Sequence, residues 1–385
     1  MNKKTIVYVV TIILSVVYLL VAGMIAVGDD GVFGQEQTEK TVKAEVLRIT
    51  DRKKISYESD GGSTTSMELI YFEAKALNSD VKGQTLYAVQ ELDLMFALRQ
   101  PDVEPGDKIM LAYAPTDDGA ADYYLTDFSR TGPLIALCAV LFLLLIIFGR
   151  KKGLDTIISL VFTCLAVFVT LIPAILDGKN VYFWSIITCV FITAMTLLLV
   201  NGADVKSLAA GVGCVGGVLA SGLIVLIVRG SIKLTGMLDE EWVYLSTIKP
   251  NQTIDLKGII FGMIIVGAVG AVMDVAMSIA SSLYEIHEKS PQLPARELLK
   301  SGLTIGRDIM GTMANTLVLA YIGSSLASVL LLVTYSSGVT QILNREMIAV
   351  EILQALAGSL GILFALPLTA VVSVFLLKRF VKVKE

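Results

Sequence analysis

Apolar residues in this chain gather into long runs broken by short polar joints, except for one long polar stretch after the first run. The runs fall at residues 6–27, 134–148, 154–176, 181–200, 208–228, 259–283, 309–333 and 348–377. Most are near the roughly 20 residues that a helix needs to cross the hydrocarbon of a bilayer. The pattern therefore predicts a polytopic α-helical membrane protein with about eight spans. The last run is long enough to tilt, or to bend at Pro367. Lys3 and Lys4 precede the first run, which is longer than the usual hydrophobic stretch of a signal peptide; this favours an anchor, although Val21-Ala22-Gly23 offers a small-residue cleavage site.

The polar stretch reads as a different material. Short alternating segments at 41–49, 67–77, 84–90, 108–113 and 122–128 read as strands. They are separated by Asp60-Gly61-Gly62-Ser63, Asn78-Ser79-Asp80, Pro105-Gly106-Asp107 and Asp117-Asp118-Gly119, residue types that supply tight-turn geometry. Five or six short strands in such a length predict a small all-β domain, an OB-like barrel or a sandwich. Its tyrosines, Tyr57, Tyr71, Tyr87, Tyr113, Tyr123 and Tyr124, are expected in the core. Asp117, Asp118 and Asp122 do not match an EF-hand loop. The expected organisation is an anchor (1–28), an extracytoplasmic β-rich domain (29–132) and a bundle of about seven helices (133–385).

Composition supports the class. Of 385 residues 55% are hydrophobic, and the mean hydropathy is +0.73; soluble domains are nearer about 45–50% apolar. The net charge of −4 points away from a nucleic-acid partner. Cys138, Cys164, Cys189 and Cys214 all fall in apolar runs without CxxC spacing, so neither a disulfide framework nor a thiolate metal site is implied. The single histidine, His287, is read as a solvated loop residue. No cofactor is expected. With the amino terminus inside, Lys and Arg are about twice as numerous in the inner loops and tail as in the outer loops, which places both termini in the cytoplasm of a plasma-membrane protein. Trp242 and Tyr244 in the outer loop 230–257 are expected as interfacial anchors.

Candidate chemistry lies in two polar patches set into apolar surroundings. Gly267, Gly270, Asp274, Ser278, Ser281 and Glu285 share one helical face, so a small-residue stripe leads into a polar one. Asp274 falls in the inner leaflet. The second patch holds Arg307, Asp308, Thr312 and Asn315. A charge at the centre of a membrane helix costs about 2.5–3.5 kcal/mol on insertion scales, and such residues usually serve a function. Arg307 and Asp308 point about 100° apart on their helix, leaving Arg307 free to reach Asp274 or Glu285. Against this stands a structural role: Asp274 as a hydrogen-bonding residue between helices, Arg307 and Asp308 as boundary residues that snorkel. Glu351 and Gln354 mark an outer mouth, or in the case of Glu351 the membrane boundary. Gly211-Val-Gly213-Cys-Val-Gly216-Gly217 follows no strand and is read as helix packing rather than a dinucleotide site, as are Gly258/Gly262, Gly302/Gly306 and Gly311.

Two motifs carry a resemblance. Gly270-Ala-Val-Met-Asp274-Val-Ala-Met-Ser278-Ile-Ala-Ser281-Ser282 and Ile305-Gly306-Arg307-Asp308-Ile-Met310-Gly311-Thr312-Met313-Ala314-Asn315-Thr316-Leu-Val-Leu-Ala-Tyr321 are similar to those of the YibE/F family of bacterial multi-spanning membrane proteins. The resemblance covers the region from about residue 132 onward, with an amino-terminal anchor and soluble segment. It implies a polytopic plasma-membrane protein and no catalytic residues.

The leading functional expectation is a permease for a small solute or ion, with Asp274 as the protonatable or cation-binding group, Arg307 as counter-charge or anion clamp and Asn315 as a neutral ligand. The alternative is a non-transporting assembly or sensory protein whose β domain binds a wall, peptide or protein partner. An intramembrane aspartyl dyad of Asp274 and Asp308 is a weaker third reading, and no enzyme is expected. The partners expected are the lipid bilayer, a small solute or ion, and a membrane protein or second copy of the chain.

Overall fold

The structure is a computed structural model and describes residues 3–27, 41–58, 64–93, 101–114, 122–247, 254–335 and 338–380. The turns Asp60–Ser63 and Asp117–Gly119, Lys249, Lys382 and Lys384, and the side chain of Tyr57, lie outside the described residues. In chain order the elements are α1 (Lys3–Ala26), β1 (Val42–Glu58), β2 (Thr64–Ala76), β3 (Thr85–Asp93), β4 (Lys108–Tyr113), β5 (Tyr123–Phe128), α2 (Thr131–Gly149), α3 (Lys151–Leu165), a π-helical turn (Ala166–Leu171), α4 (Ile172–Leu176), α5 (Val181–Val200), α6 (Val205–Ser231), α7 (Glu240–Thr247), α8 (Leu256–Lys289), α9 (Ala295–Ser324), α10 (Leu326–Tyr335), α11 (Val339–Leu343) and α12 (Glu346–Phe380). The chain divides into two compact units: Phe33–Leu144, and Met1–Val32 with Leu145–Glu385.

All five expected strands form, and they close into a barrel in the order β1-β2-β3-β5-β4. The β3–β5 pairing is parallel and the others are antiparallel. This is the five-stranded Greek-key arrangement of the OB type. Register shifts at Val46/Arg48 and Ile49/Asp51 bend β1, so one strand pairs with β4 at its start and with β2 along its length. The polar run Asp51-Arg52-Lys53-Lys54 gives no alternation to read, yet β1 runs on through it to Glu58 because β2 supplies a partner. Alternation fills the barrel with Val42, Ala44, Val46, Ile70, Phe72, Leu86, Leu92, Ile109 and Leu111. The tyrosine expectation is corrected. Tyr123 packs against the barrel core as expected, but Tyr87 is 51% exposed and Tyr71 packs with Val89 and Tyr124 in a separate outer cluster, because Tyr71 and Tyr87 fall on the outward-pointing parity of their strands; Tyr113, in parity with Ile109 and Leu111, is 58% exposed because it ends β4. Gln90 is buried; its amide donates to the Pro101 carbonyl (2.9 Å) and its Oε1 accepts from the Val103 amide (2.9 Å). On the surface the Arg48 guanidinium donates to Glu73 (2.7 Å) and holds its carboxyl below the ordinary carboxylate range.

Among the described residues, seven helical segments are long and apolar enough to cross a membrane: α1, α2, Lys151–Leu176, α5, α6, α8 and α12. The eighth expected span is the one that differs. Helix α9 starts at Ala295, well before the apolar run, and breaks at Ser325 with a 62° bend into α10. Arg307 and Asp308 therefore sit in mid-helix rather than ahead of a span. Asn180 and Asp255 cap α5 and α8, accepting from the amides of Phe183 (3.0 Å) and Gly258 (2.9 Å). The π-helical turn comes just before Pro173, whose missing N–H interrupts the regular ladder. Helix α12 runs as one helix through Pro367.

Glycine lets α6, α8 and α12 form the centre of the bundle. A β-carbon at Gly213 would collide with Thr369, at Gly216 with Leu368, and at Gly217 with Ala365, the Gly361 carbonyl and Val272 at once. Ser221 donates to the Ala357 carbonyl across the same seam (2.8 Å). Helix α1 lays the stripe Thr11, Ser15, Leu19, Ala22 and Ala26 inward, and a β-carbon at Gly23 would lie 3.0 Å from Val169. The small residues that resemble a cleavage site thus take part in packing. One further expectation is corrected. His287 lies in the last turn of α8 and is 3% exposed, because that helix continues past the apolar run and buries one face to its end. Trp242 packs against the bundle core, whereas Tyr244 is exposed.

Candidate functional site

Helix α8 has 34 residues. At a rise of about 1.5 Å per residue it is longer than the hydrocarbon core is thick. Most of its circumference is buried against α5, α6, α9 and α12. The open remainder is the predicted stripe: Gly267, Gly270, Asp274, Ser278 and Glu285 are exposed, and Ser281 is half-buried. The sequence achieves this by placing mostly Ala, Val and Ile at the positions facing a neighbour from Ile264 to Ala280, and glycine or polar side chains at the exposed positions from Gly267 onward.

One contact fixes how α9 borders this stripe. A β-carbon at Gly267 would lie 2.7 Å from the Tyr321 hydroxyl of α9 and 3.5 Å from the Gln354 amide of α12. Gly267, Asp274 and Ser281 are a heptad apart on α8, and Tyr321, Ala314 and Arg307 are a heptad apart on α9. The two helices run antiparallel, with Gly302 meeting Leu283 nearer their linked ends. Stepping down from the Gly267–Tyr321 contact puts Asp274 level with Ala314 and Ser281 level with Arg307. Asp274 is exposed and Ala314 half-buried. Arg307 lies one heptad, about 10 Å, further along.

This spacing is why the expected ion pair does not form. Asp274, Glu285, Arg307 and Asp308 make no salt bridge with another described residue. Arg307 and Asp308 are exposed, as are Gly311, Thr312, Asn315 and Thr316. The threonine hydroxyls donate back to their own helix, Thr312 to Ile309 (2.8 Å) and Thr316 to Thr312 (2.9 Å), whereas Asn315 has no described partner. Asp308 and Asp274 are offset by about 9 Å along the axes and turned apart, so the structure does not assemble a proton-sharing dyad. Gln354 is 9% exposed and Glu351 half-buried, and both belong to the Gly267 end of the groove. Gly302 and Gly306 are held against Leu283 and Leu366, whereas Gly270 and Gly311 face open space.

The groove has a member that the sequence offered only as the last residue of the second motif and not as a site residue. The Tyr321 hydroxyl is buried, has no hydrogen-bond partner among the described residues and points at Gly267. Only the pairing of a bare glycine on one helix with a tyrosine on another reveals it, and that pairing is tertiary. A separate cavity of about 770 Å³ lies between α5 and α6, lined by Val190, Leu197, Leu208, Val212 and Leu219. None of the predicted site residues lines it.

A bundle of apolar spans with a polar, glycine-bordered groove along one of its longest helices defines a multi-helix protein of the membrane-embedded class. Within that class, the chain belongs to the YibE/F-like protein family, whose match covers residues 137–379. The match begins inside α2, ends inside α12 and takes in both polar motifs, leaving α1 and the β-barrel outside it. No curated protein and no solved structure matches the chain.

Proposed function

We propose that this protein is a plasma-membrane permease that carries a small solute or ion along the α8 groove. The observation behind this reading is that the one open face of an otherwise buried helix carries Asp274, Ser278, Ser281 and Glu285. Lipid offers such groups no hydrogen bonds, so they need water, cargo or protein beside them. Asp274 is the proton- or cation-binding group, Arg307 holds anionic cargo one heptad inward, and Gln354, Glu351 and the Tyr321 hydroxyl form the other mouth. The loop lysines and arginines support cytoplasmic termini and an extracytoplasmic barrel.

Two measurements test this. Asp274→Cys, in a background with Cys138 and Cys164 replaced by Ser, reacts with a water-soluble maleimide in intact membranes; failure to react places the position in lipid and refutes the groove. In proteoliposomes holding a pH-sensitive dye and screened with small solutes, Asp274→Asn abolishes solute-driven signals while inserting normally; undiminished flux in that variant refutes the role of the carboxylate.

The closed OB-type barrel favours a second reading, since this architecture commonly binds ligands on its β2–β3 face and loops. In that case the protein recognises a wall, peptide or protein partner, and the bundle anchors it. Deleting residues 34–129 separates the two readings: a permease retains groove labelling and flux, whereas a barrel-centred protein loses its phenotype.

A further inference from the structure

We infer that α9 pairs in parallel with α9 of a second copy of this chain, through a polar seam in which Asp308 of each copy meets Arg307 of the other. The inference does not rest on the permease reading and, at Arg307, gives the guanidinium a carboxylate partner in place of anionic cargo. Thr304, Asp308, Gly311, Asn315, Val318 and Ile322 follow one another at spacings of four, three, four, three and four. This is the repeat that brings two helices together along a seam. All six fall on the side of α9 away from its buried residues Leu298, Gly302, Gly306 and Leu317. Five are exposed, and Val318 is half-buried. Nothing lies within 4 Å of a β-carbon at Gly311, so the backbone there is free to approach another helix. The seam ends where the chain bends at Ser325.

Charge complementarity selects the occupant. A two-fold axis along the membrane normal brings residues of equal number to equal depth. In a parallel heptad pair, a side chain at the position of Asp308 enters a hole formed by the residues equivalent to Thr304, Arg307, Asp308 and Gly311 of the other helix. Each copy therefore supplies the guanidinium that the other's carboxylate lacks; within one chain both groups are exposed and neither has an ion-pair partner among the described residues. One heptad further, Asn315 meets its own counterpart. A side-chain amide is both donor and acceptor, so two can satisfy each other where lipid can satisfy neither.

Disulfide trapping in native membranes tests the pairing, with Cys138 and Cys164 replaced by Ser. Asn315→Cys gives a covalent dimer on mild oxidation, and Thr316→Cys, exposed on α9 but off the seam, does not. With Gly311→Cys as a second reporter, Arg307→Asp or Asp308→Arg alone reduces the dimer to the level of the Thr316→Cys control, and the double reversal restores it. Equal trapping at Thr316 and Asn315, trapping unaffected by either single reversal, failure of the double reversal to restore it, or an adduct only with a different protein overturns the inference.

Discussion

Gly217 and Gly270 are both helical glycines in apolar spans, yet the structure assigns opposite consequences to the same substitution. A β-carbon at Gly217 would lie 2.7 Å from the Ala365 Cβ, 2.7 Å from the Gly361 carbonyl oxygen and 2.9 Å from a Val272 methyl. Carbon atoms in good contact are about 3.5–4.0 Å apart. None of these three neighbours is the end of a long side chain, so Gly217→Ala must push α6 from α8 and α12 together. Overpacking of this kind costs about 1–3 kcal/mol. Gly270→Ala meets nothing within 4 Å. Both variants gain the same helix propensity, up to about 1 kcal/mol. The difference between them therefore isolates the steric term, with Gly217→Ala the less stable by about 1–3 kcal/mol. A thiol-reactive fluorogenic dye reads this during heating, because Cys189 and Cys214 are buried and become reactive on unfolding, once the exposed Cys138 and Cys164 are replaced by Ser. Gly217→Ala melts several degrees below Gly270→Ala. Coincident melting curves, or a lower midpoint for Gly270→Ala, would refute the close approach of the three helices.

Gln90→Leu strips the barrel of the two hydrogen bonds that tie down the 101–103 segment and leaves the buried Val103 amide unpaired. It destabilises the domain by about 1–3 kcal/mol, read as earlier proteolytic cleavage of the barrel in full-length protein under rising urea. His287→Leu goes the other way. Both ring nitrogens are buried without partners, so an apolar replacement of similar size leaves the bundle's melting midpoint unchanged or raises it. A clear drop would mean that the imidazole is held by an interaction absent from this structure.

Much of the architecture was legible from local chemistry. Apolar runs fixed where most spans lie because a membrane helix must satisfy its own backbone and cover itself in hydrocarbon, and that requirement is written residue by residue. Strand positions followed from period-two alternation, and the α8 stripe from helical spacing alone. What alternation does not encode is partnership. β1 continues past Asp51 because β2 pairs with it, and Tyr71 and Tyr87 point outward because barrel closure decides which parity is inside. His287 is buried because α8 outlasts its apolar run and still packs. The ion pair between Asp274 and Arg307 was plausible by depth along each helix taken separately. The relative slide of α8 and α9 is set by tertiary contacts such as Gly267–Tyr321 and Gly302–Leu283, and that slide separates the two charges. Sequence thus determined the class, the spans and the polar faces, since each depends on a residue and its near neighbours. Tertiary structure decided which polar groups meet, because the offset and rotation of one helix against another come from side chains distant in the chain.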